Sequence, residues 1–188
     1  MPAMKPEASK LLILDRDGVI NEDRPDFIKS PEEWLPIPGS LEAIGELTRA
    51  GWTIVVATNQ SCIGRGIIDI DMLNRIHAKM HRAVVNAGGH IDAIFFCPHA
   101  PDAGCDCRKP APGMVQDIAR RFRVDVDECL MVGDSLRDLQ AVSRAGGQAL
   151  LVRTGNGRKT EAAGDLPAGT RVYDDLAAVC ASLLENPN

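Results

Sequence analysis

The sequence predicts an α/β fold, a single doubly wound parallel sheet, from two observations. Short unbroken apolar runs alternate with helix-like segments, and polar clusters follow the ends of those runs. A strand covered by helices on both faces is apolar on both, so Leu11–Leu14 (Leu-Leu-Ile-Leu) reads as the first strand. Thr53–Ala57, Ala93–Phe96, Cys129–Val132 and Gln148–Val152 read as the others. Ser40 caps a predicted helix from Leu41 to Ala50 that stops at Gly51, and Asp69 opens one that reaches Ala87 before Gly88 and Gly89. A third follows Pro112 from Gly113 to Phe122. Leu136 to Ala145 ends at Gly146-Gly147, glycine being the residue that tolerates the left-handed dihedrals of a helix stop. Asp174 to Leu184 reads as a closing helix before a frayed end over 185–188. The Pro-rich stretch from Pro25 to Pro38 reads as a long loop, part of a flap that begins at Asn21, and residues 1–9 as a flexible N-terminal segment.

At 188 residues the chain is expected to form one domain that spans 1–188, large enough to bury a core without disulfides. A net charge of -5 argues against sequence-independent nucleic-acid binding, which needs a basic surface. No stretch has the apolar length of a transmembrane helix, and the first ten residues lack the apolar centre of a signal peptide. A cytoplasmic monomer with no nucleic-acid or membrane partner is the expectation.

The chemistry is expected where the first strand ends. Asp15 and Asp17 follow Leu14, and side chains of an extended segment alternate with period 2, so both can point to one side. Two carboxylates there can divide the labour, Asp15 as nucleophile and Asp17 as proton donor and acceptor. Parallel strands bring their carboxyl ends to one edge, and three more clusters arrive there. Thr58-Asn59-Gln60-Ser61 offers hydroxyl and amide donors, Arg108-Lys109 two cations, and Gly133-Asp134 another carboxylate. This set suits phosphoryl transfer. Asp15 and Asp134, with a backbone carbonyl of Asp17, can hold Mg²⁺, a hard ion that prefers oxygen. Lys109 and the Thr58 hydroxyl can then stabilise the transferring group.

Three of the six cysteines crowd beside a histidine: Cys97 and His99, then Cys105 and Cys107. Three thiolates and one imidazole form a closed tetrahedral set with no open position for a catalytic water, so zinc here is structural. Arg108 and Lys109 follow the last ligand directly, so a metal that pins the loop 97–110 also fixes both cations. About forty residues separate the second and third clusters, which leaves no space for a separate cap domain. The flap, with Asp23 in it, the loop around Arg65 and the zinc loop must grip the substrate instead.

Asp15-Arg16-Asp17-Gly18, Thr58-Asn59, Lys109 and Gly133-Asp134 with Asp138 resemble, in order, the four motifs of the haloacid dehalogenase (HAD) superfamily of phosphatases. The resemblance implies a HAD-like, Rossmannoid fold, with Asp15 as nucleophile, Asp17 as general acid/base, and Thr58 and Lys109 as phosphate stabilisers. It also implies Asp15, Asp17 and Asp134 around Mg²⁺, and Asp138 behind them. Cys-Pro-His followed by Cys-Asp-Cys-Arg-Lys-Pro narrows the resemblance to the subgroup of D-glycero-D-manno-heptose 1,7-bisphosphate 7-phosphatases and histidinol-phosphate phosphatases. Thr58 to Ser61, Ile63-Gly64-Arg65-Gly66 and Val152 to Gly155 are more similar to the heptose enzymes, which serve ADP-heptose synthesis for the lipopolysaccharide core. What this implies is a sugar bisphosphate substrate, with contacts from Asp23, Asn59, Gln60, Ser61, Arg65 and Arg108.

Two other classes compete. Receiver domains also combine a phosphoacceptor aspartate with Thr and Lys on a doubly wound sheet, but theirs lies at the third strand and here the candidate lies at the first. A non-catalytic zinc-binding protein would have no need of Asp17.

Overall fold

The computed structural model describes residues 10–185 and shows six parallel strands in one sheet, in the order β3-β2-β1-β4-β5-β6. The strands are β1 (Leu11–Leu14), β2 (Thr53–Asn59), β3 (Ala93–Cys97), β4 (Leu130–Gly133), β5 (Gln148–Val152) and β6 (Arg171–Tyr173). The helices are α1 (Ser40–Arg49), α2 (Ser61–Gly64), α3 (Ile70–Asn86), α4 (Gly113–Phe122), α5 (Leu136–Ala145), α6 (Gly157–Ala163) and α7 (Leu176–Glu185). The expectations for 1–9 and for 186–188 lie outside the described residues.

Period-2 alternation divides each strand between two cores. Leu12, Leu14, Ile54, Val56, Val132 and Leu150 face one side, where α1, α3 and α7 supply Ile44, Leu47, Ile76, Met80, Val84, Val179 and Leu183. Leu11, Ile13, Val55, Ala57, Met131 and Leu151 face the other, against Val115 and Ile118 of α4 and Leu139 and Val142 of α5. This two-sided burial is why the strands are apolar throughout, and it makes the assembly a doubly wound sheet.

The expected strands β1 and β5 are found with the expected bounds; β2 and β3 run one or two residues further, and β4 is shifted by one. Three elements were not foreseen. The strand β6 is a three-residue edge strand, half-exposed, and α2 and α6 are only four and seven residues long, too short for a period to register. Ser40 is not the cap of α1 but its first residue. Gly39, at φ +83, takes the cap position, while the Ser40 hydroxyl donates to the Val19 carbonyl at 2.8 Å. The closing helix begins at Leu176, two residues later than expected. The flap is no loose loop either. Ile28 and Trp34 are buried in the first core, and Lys79 of α3 donates to the Pro31 and Trp34 carbonyls at 2.6 and 2.9 Å. A backbone that must end near a buried Trp34 keeps little of the freedom its prolines and charges suggest.

Gly133, the last residue of β4, shows why the site can form. A Cβ there would lie 2.2 Å from the Cβ of Asp138, so glycine is what lets the first turn of α5 close on the strand end. Leu14 is fully buried in the last layer before the site. We expect Leu14→Ala to cost about 2–5 kcal/mol of unfolding free energy, read as a lower urea midpoint at unchanged slope.

Candidate active site

In this strand order β1 and β4 are neighbours from which the chain winds outward in opposite directions, and a crevice opens at the carboxyl end of such a pair. The strand β1 delivers Asp15 there and β4 delivers Asp134. Pairing continues one residue beyond β1, since the Asp15 amide donates to the Val132 carbonyl at 2.9 Å. Gly18 then turns the chain at φ +83, and a Cβ on it would come within 2.1 Å of Asp134 Oδ2. The result is a cavity of about 240 Å³ lined by Asp15, Asp17, Thr58, Lys109, Asp134 and Asp138, with Asp23, Phe27 and Asn156 at its rim.

Lys109 ties these carboxylates together. Its Nζ lies 2.9 Å from Asp15 Oδ1 and 2.6 Å from Asp138 Oδ1, and donates to the Ala57 carbonyl at 2.7 Å, so all three ammonium donors are engaged. Burial alone would lower this lysine, but Asp138 and Asp15 outweigh it and raise its pKa. Asp138 spends its other oxygen on Ser135, accepting from the amide at 3.1 Å and the hydroxyl at 2.6 Å. It is thus both the first-turn acid of α5 and the counterion of Lys109.

The remaining carboxylates sit in contrasting environments. Burial first, then the charge of Asp138, push Asp15 well above the usual carboxylate range. The same two causes push Asp134 up to about 7, although the amide and side chain of Asn156 donate to its Oδ2 at 2.7 and 3.2 Å. Asp17 is the opposite. Burial would raise it, but the Arg16 guanidinium, with hydrogen bonds from Asn21 and Gln60, holds it below the usual range.

Oxygens of Asp15, Asp134 and Asp138 all come within 4.8 Å of one another. With Asp17 that makes four acids around two buried cations, Lys109 and Arg16. A buried surplus of carboxylate oxygen is the donor set a hard divalent ion takes, and Mg²⁺ fits it.

The four soft ligands of the loop also converge. Cys97 Sγ lies 3.7 Å from Cys105 Sγ and 3.5 Å from His99 Nδ1, which lies 3.3 Å from Cys107 Sγ. A zinc tetrahedron with ordinary bond lengths has edges of about 3.8 Å between sulfurs and about 3.6 Å between sulfur and nitrogen, so the cluster fits zinc. Arg108 Nη1 reaches back to the His99 carbonyl at 3.4 Å, and Arg108 lines the cavity.

Among the expected substrate contacts, Asp23, Asn59, Ser61 and Arg108 line the cavity. The Asn59 amide, however, is spent on the protein: Nδ2 donates to the Lys109 carbonyl at 3.0 Å and Oδ1 accepts from the Lys109 amide at 3.1 Å. Gln60 is buried beneath the cavity, and its Nε2 donates to Asp17 at 3.0 Å and to the Thr58 hydroxyl at 2.9 Å. Arg65 stands over the ring of Phe27, 5.8 Å from its centroid. Arg153 points elsewhere, into a bidentate pair with Glu161 and a contact to Asp174. Three residues escaped the sequence reading. Arg16 and His77 are buried side by side next to Asp17, and Asn156 joins Asp134 to Asp23 through its Nδ2. The Asn-Gly step after β5 marks a turn at the site edge and could have drawn attention to Asn156; a lone histidine in a helix carries no such signal.

A family profile described as HAD-hydrolase-like matches residues 106–179. A Bordetella bronchiseptica protein named D-glycero-beta-D-manno-heptose-1,7-bisphosphate 7-phosphatase is 62% identical over 94% of this chain and 98% of its own. The protein of the same name from Neisseria meningitidis is 54% identical over 89% of this chain and 90% of its own. The crystal structure of D,D-heptose 1,7-bisphosphate phosphatase from B. bronchiseptica, complexed with magnesium and phosphate, superposes with a TM-score of 0.92 at 62% identity, covering 94% of this chain and 98% of that one.

The ligand cluster supports a direct expectation. Purified protein should carry about one zinc per chain by elemental analysis. Cys107→Ala should lose it, loosen the loop from Cys97 to Pro110, and lower both heat stability and turnover through Lys109. A zinc-free wild type, or a variant with normal stability and turnover, would show that packing alone places this lysine.

Proposed function

This chain belongs to the family of D-glycero-beta-D-manno-heptose-1,7-bisphosphate 7-phosphatases, and we propose that it releases the 7-phosphate of that sugar bisphosphate through an aspartyl-phosphate on Asp15. The observation that carries the reading is the placement of Asp15 at the cavity floor, joined to Lys109 at 2.9 Å and within 4.8 Å of Asp134.

Asp15 Oδ1 already accepts from Lys109 and from the Arg16 amide at 2.8 Å, which leaves Oδ2 to attack phosphorus. The new Asp15–phosphorus bond forms as the bond from phosphorus to the sugar C7 oxygen breaks, and Asp17 gives that oxygen its proton. In the second step Asp17 takes a proton from water as the water oxygen bonds to phosphorus, and the Asp15–phosphorus bond breaks to release inorganic phosphate. Asp15 and Asp134, with the backbone carbonyl of Asp17, are the groups that would hold Mg²⁺. The bound ion supplies the positive charge that lets a carboxylate meet a phosphate of its own sign. Thr58 is oriented for phosphate: its oxygen accepts from Gln60, so its own O–H is free to donate into the cavity. Lys109 meets the transferring group by exchanging one of its present acceptors for a phosphate oxygen. Asp17 has all four acceptor positions filled, by two bonds from Arg16 and one each from Asn21 and Gln60, so to serve as the acid it must first give up one of these donors and take up a proton from solvent at that position.

Arg108, over the cavity beside the zinc loop, suits the part of the substrate that does not react, and Asp23, Ser61 and Arg65 suit the sugar. The relatives are named for the beta anomer, and we assign that anomer to this chain. We assign the chain as a cytoplasmic monomer, and the small cavity suits a small sugar bisphosphate. No helix among the described residues is long and apolar enough to cross a membrane.

Asp15→Asn should abolish turnover with the fold intact, whereas Asp17→Asn should slow it by about 10²–10⁴-fold. Acid quench of wild type during turnover should trap a phosphoenzyme that Asp15→Asn never shows. Chelation of Mg²⁺ by mild EDTA should stop turnover, and added Mg²⁺ should restore it, with zinc retained. Release of phosphate should be faster from heptose bisphosphate than from histidinol phosphate. The preference for bisphosphate over monophosphate should shrink in Arg108→Ala. Equal rates on histidinol phosphate would move the assignment to that substrate.

A further inference from the structure

Arg16 is 1% exposed, and so is among the largest fully buried side chains in the protein, although it lies between the two aspartates of the first motif. Its fork faces Asp17: Nε donates to Oδ1 and Nη2 to Oδ2, both at 3.0 Å. The remaining nitrogen, Nη1, lies 3.2 Å from Nε2 of His77, on α3 and sixty-one positions away in sequence. His77 is itself buried, with its ring edge against Phe96 at 6.3 Å between centroids. A guanidinium only donates, so His77 Nε2 must offer its lone pair and the ring must be neutral with its proton on Nδ1. Burial, reinforced by the nearby Arg16, pushes His77 down to about 3, which keeps it in that form.

A buried arginine needs a reason, because desolvating a guanidinium is costly unless it is paired and hydrogen-bonded. Here the matching is geometric. The planar fork meets both oxygens of Asp17 and so fixes the plane of that carboxylate, which a lysine point charge would not do. His77 in turn fixes the rotation of the fork, acting from an element of the fold that otherwise contributes nothing to the cavity.

We propose that Arg16 and His77 form a positioning pair for the proton-transfer step: Arg16 sets the orientation of Asp17 at the cavity edge, and His77 sets the orientation of Arg16. The inference rests on the reading of Asp17 as the acid/base group. It assigns these two residues no contact with substrate and no part in holding metal.

The test is a set of variants read by steady-state kinetics on heptose bisphosphate at saturating Mg²⁺. Arg16→Met and His77→Leu should lower kcat, by about 10–100-fold for the first and less for the second, with KM within about twofold of wild type. His77→Gln, whose amide oxygen can accept from Arg16, should recover most of the loss seen in His77→Leu. The decisive comparison is in the Asp17→Asn background. Residues that act only through Asp17 have nothing left to position there, so both substitutions should then leave the residual kcat within about twofold. The proposal is overturned if the single variants keep wild-type kcat, or if they lower kcat equally with and without Asp17, which would mark a general structural role. Should Arg16→Met fail to fold, the His77 variants alone decide by the same criteria. Wild-type turnover in Asp17→Asn by itself would instead overturn the acid/base reading, an outcome separable from failure of the pair.

Discussion

One ammonium group organises this site. Lys109 Nζ joins Asp15 at the end of β1, Asp138 in the first turn of α5 and the Ala57 carbonyl in β2, three elements that the chain supplies from far apart. Without that charge, buried acids from two neighbouring strands and a helix would face one another across a few ångströms in a poorly solvated crevice. Yet Lys109 belongs to no helix or strand. Its backbone is clamped by both ends of the Asn59 side chain, and its loop is gathered by Cys97, His99, Cys105 and Cys107. The zinc loop and the polar end of β2 therefore do one task together: they give a residue in irregular backbone the fixed position of one in a sheet.

Around this contact, chemically identical side chains take different roles because their surroundings differ. Asp15 and Asp134 have burial and a neighbouring carboxylate, which raise them and call for a cation. Asp17, two residues from Asp15, is surrounded by donors that hold it below the usual carboxylate range. The difference makes Asp15 depend on a bound cation to be an ionised nucleophile, and Asp17 on the release of a donor to carry a proton. The two-residue spacing allows it, since Asp15 falls between β1 and β4 while Asp17 lies past them, where the turn at Gly18 brings it to Arg16, Asn21 and Gln60.

The sheet explains why these groups meet at all. Strand order 3-2-1-4-5-6 places the ends of β1 and β4 side by side at the point where the winding reverses. Glycines at 18 and 133 remove the Cβ atoms that would block Asp134 and Asp138. The flap adds a wall, and its anchoring through Ile28 and Trp34 to the core shared by α1 and α3 makes that wall part of the fold. Phe27, at φ 67, is one of two non-glycine residues with positive φ among the described residues, and it lines the cavity.

The sequence by itself determined the doubly wound class, the five long strands and the acids at their ends, because apolar runs and capping residues report local burial and local geometry. It also singled out the four thiol and imidazole ligands, because they are close in sequence as well as in space. What it could not determine was which polar side chains at the edge face the cavity and which are consumed in building it. Asn59 and Gln60 read as substrate contacts, and the structure spends their amides on Lys109, Asp17 and Thr58. Arg16 and His77 carried no functional signal and Asn156 only that of a turn, and they hold Asp17 and Asp134. Most of those pairings span tens of residues, and these exist only once the crossovers have set α3 and the turn after β5 against the edge of the sheet. Periodicity tells which residues are buried; only the packed structure decides against what.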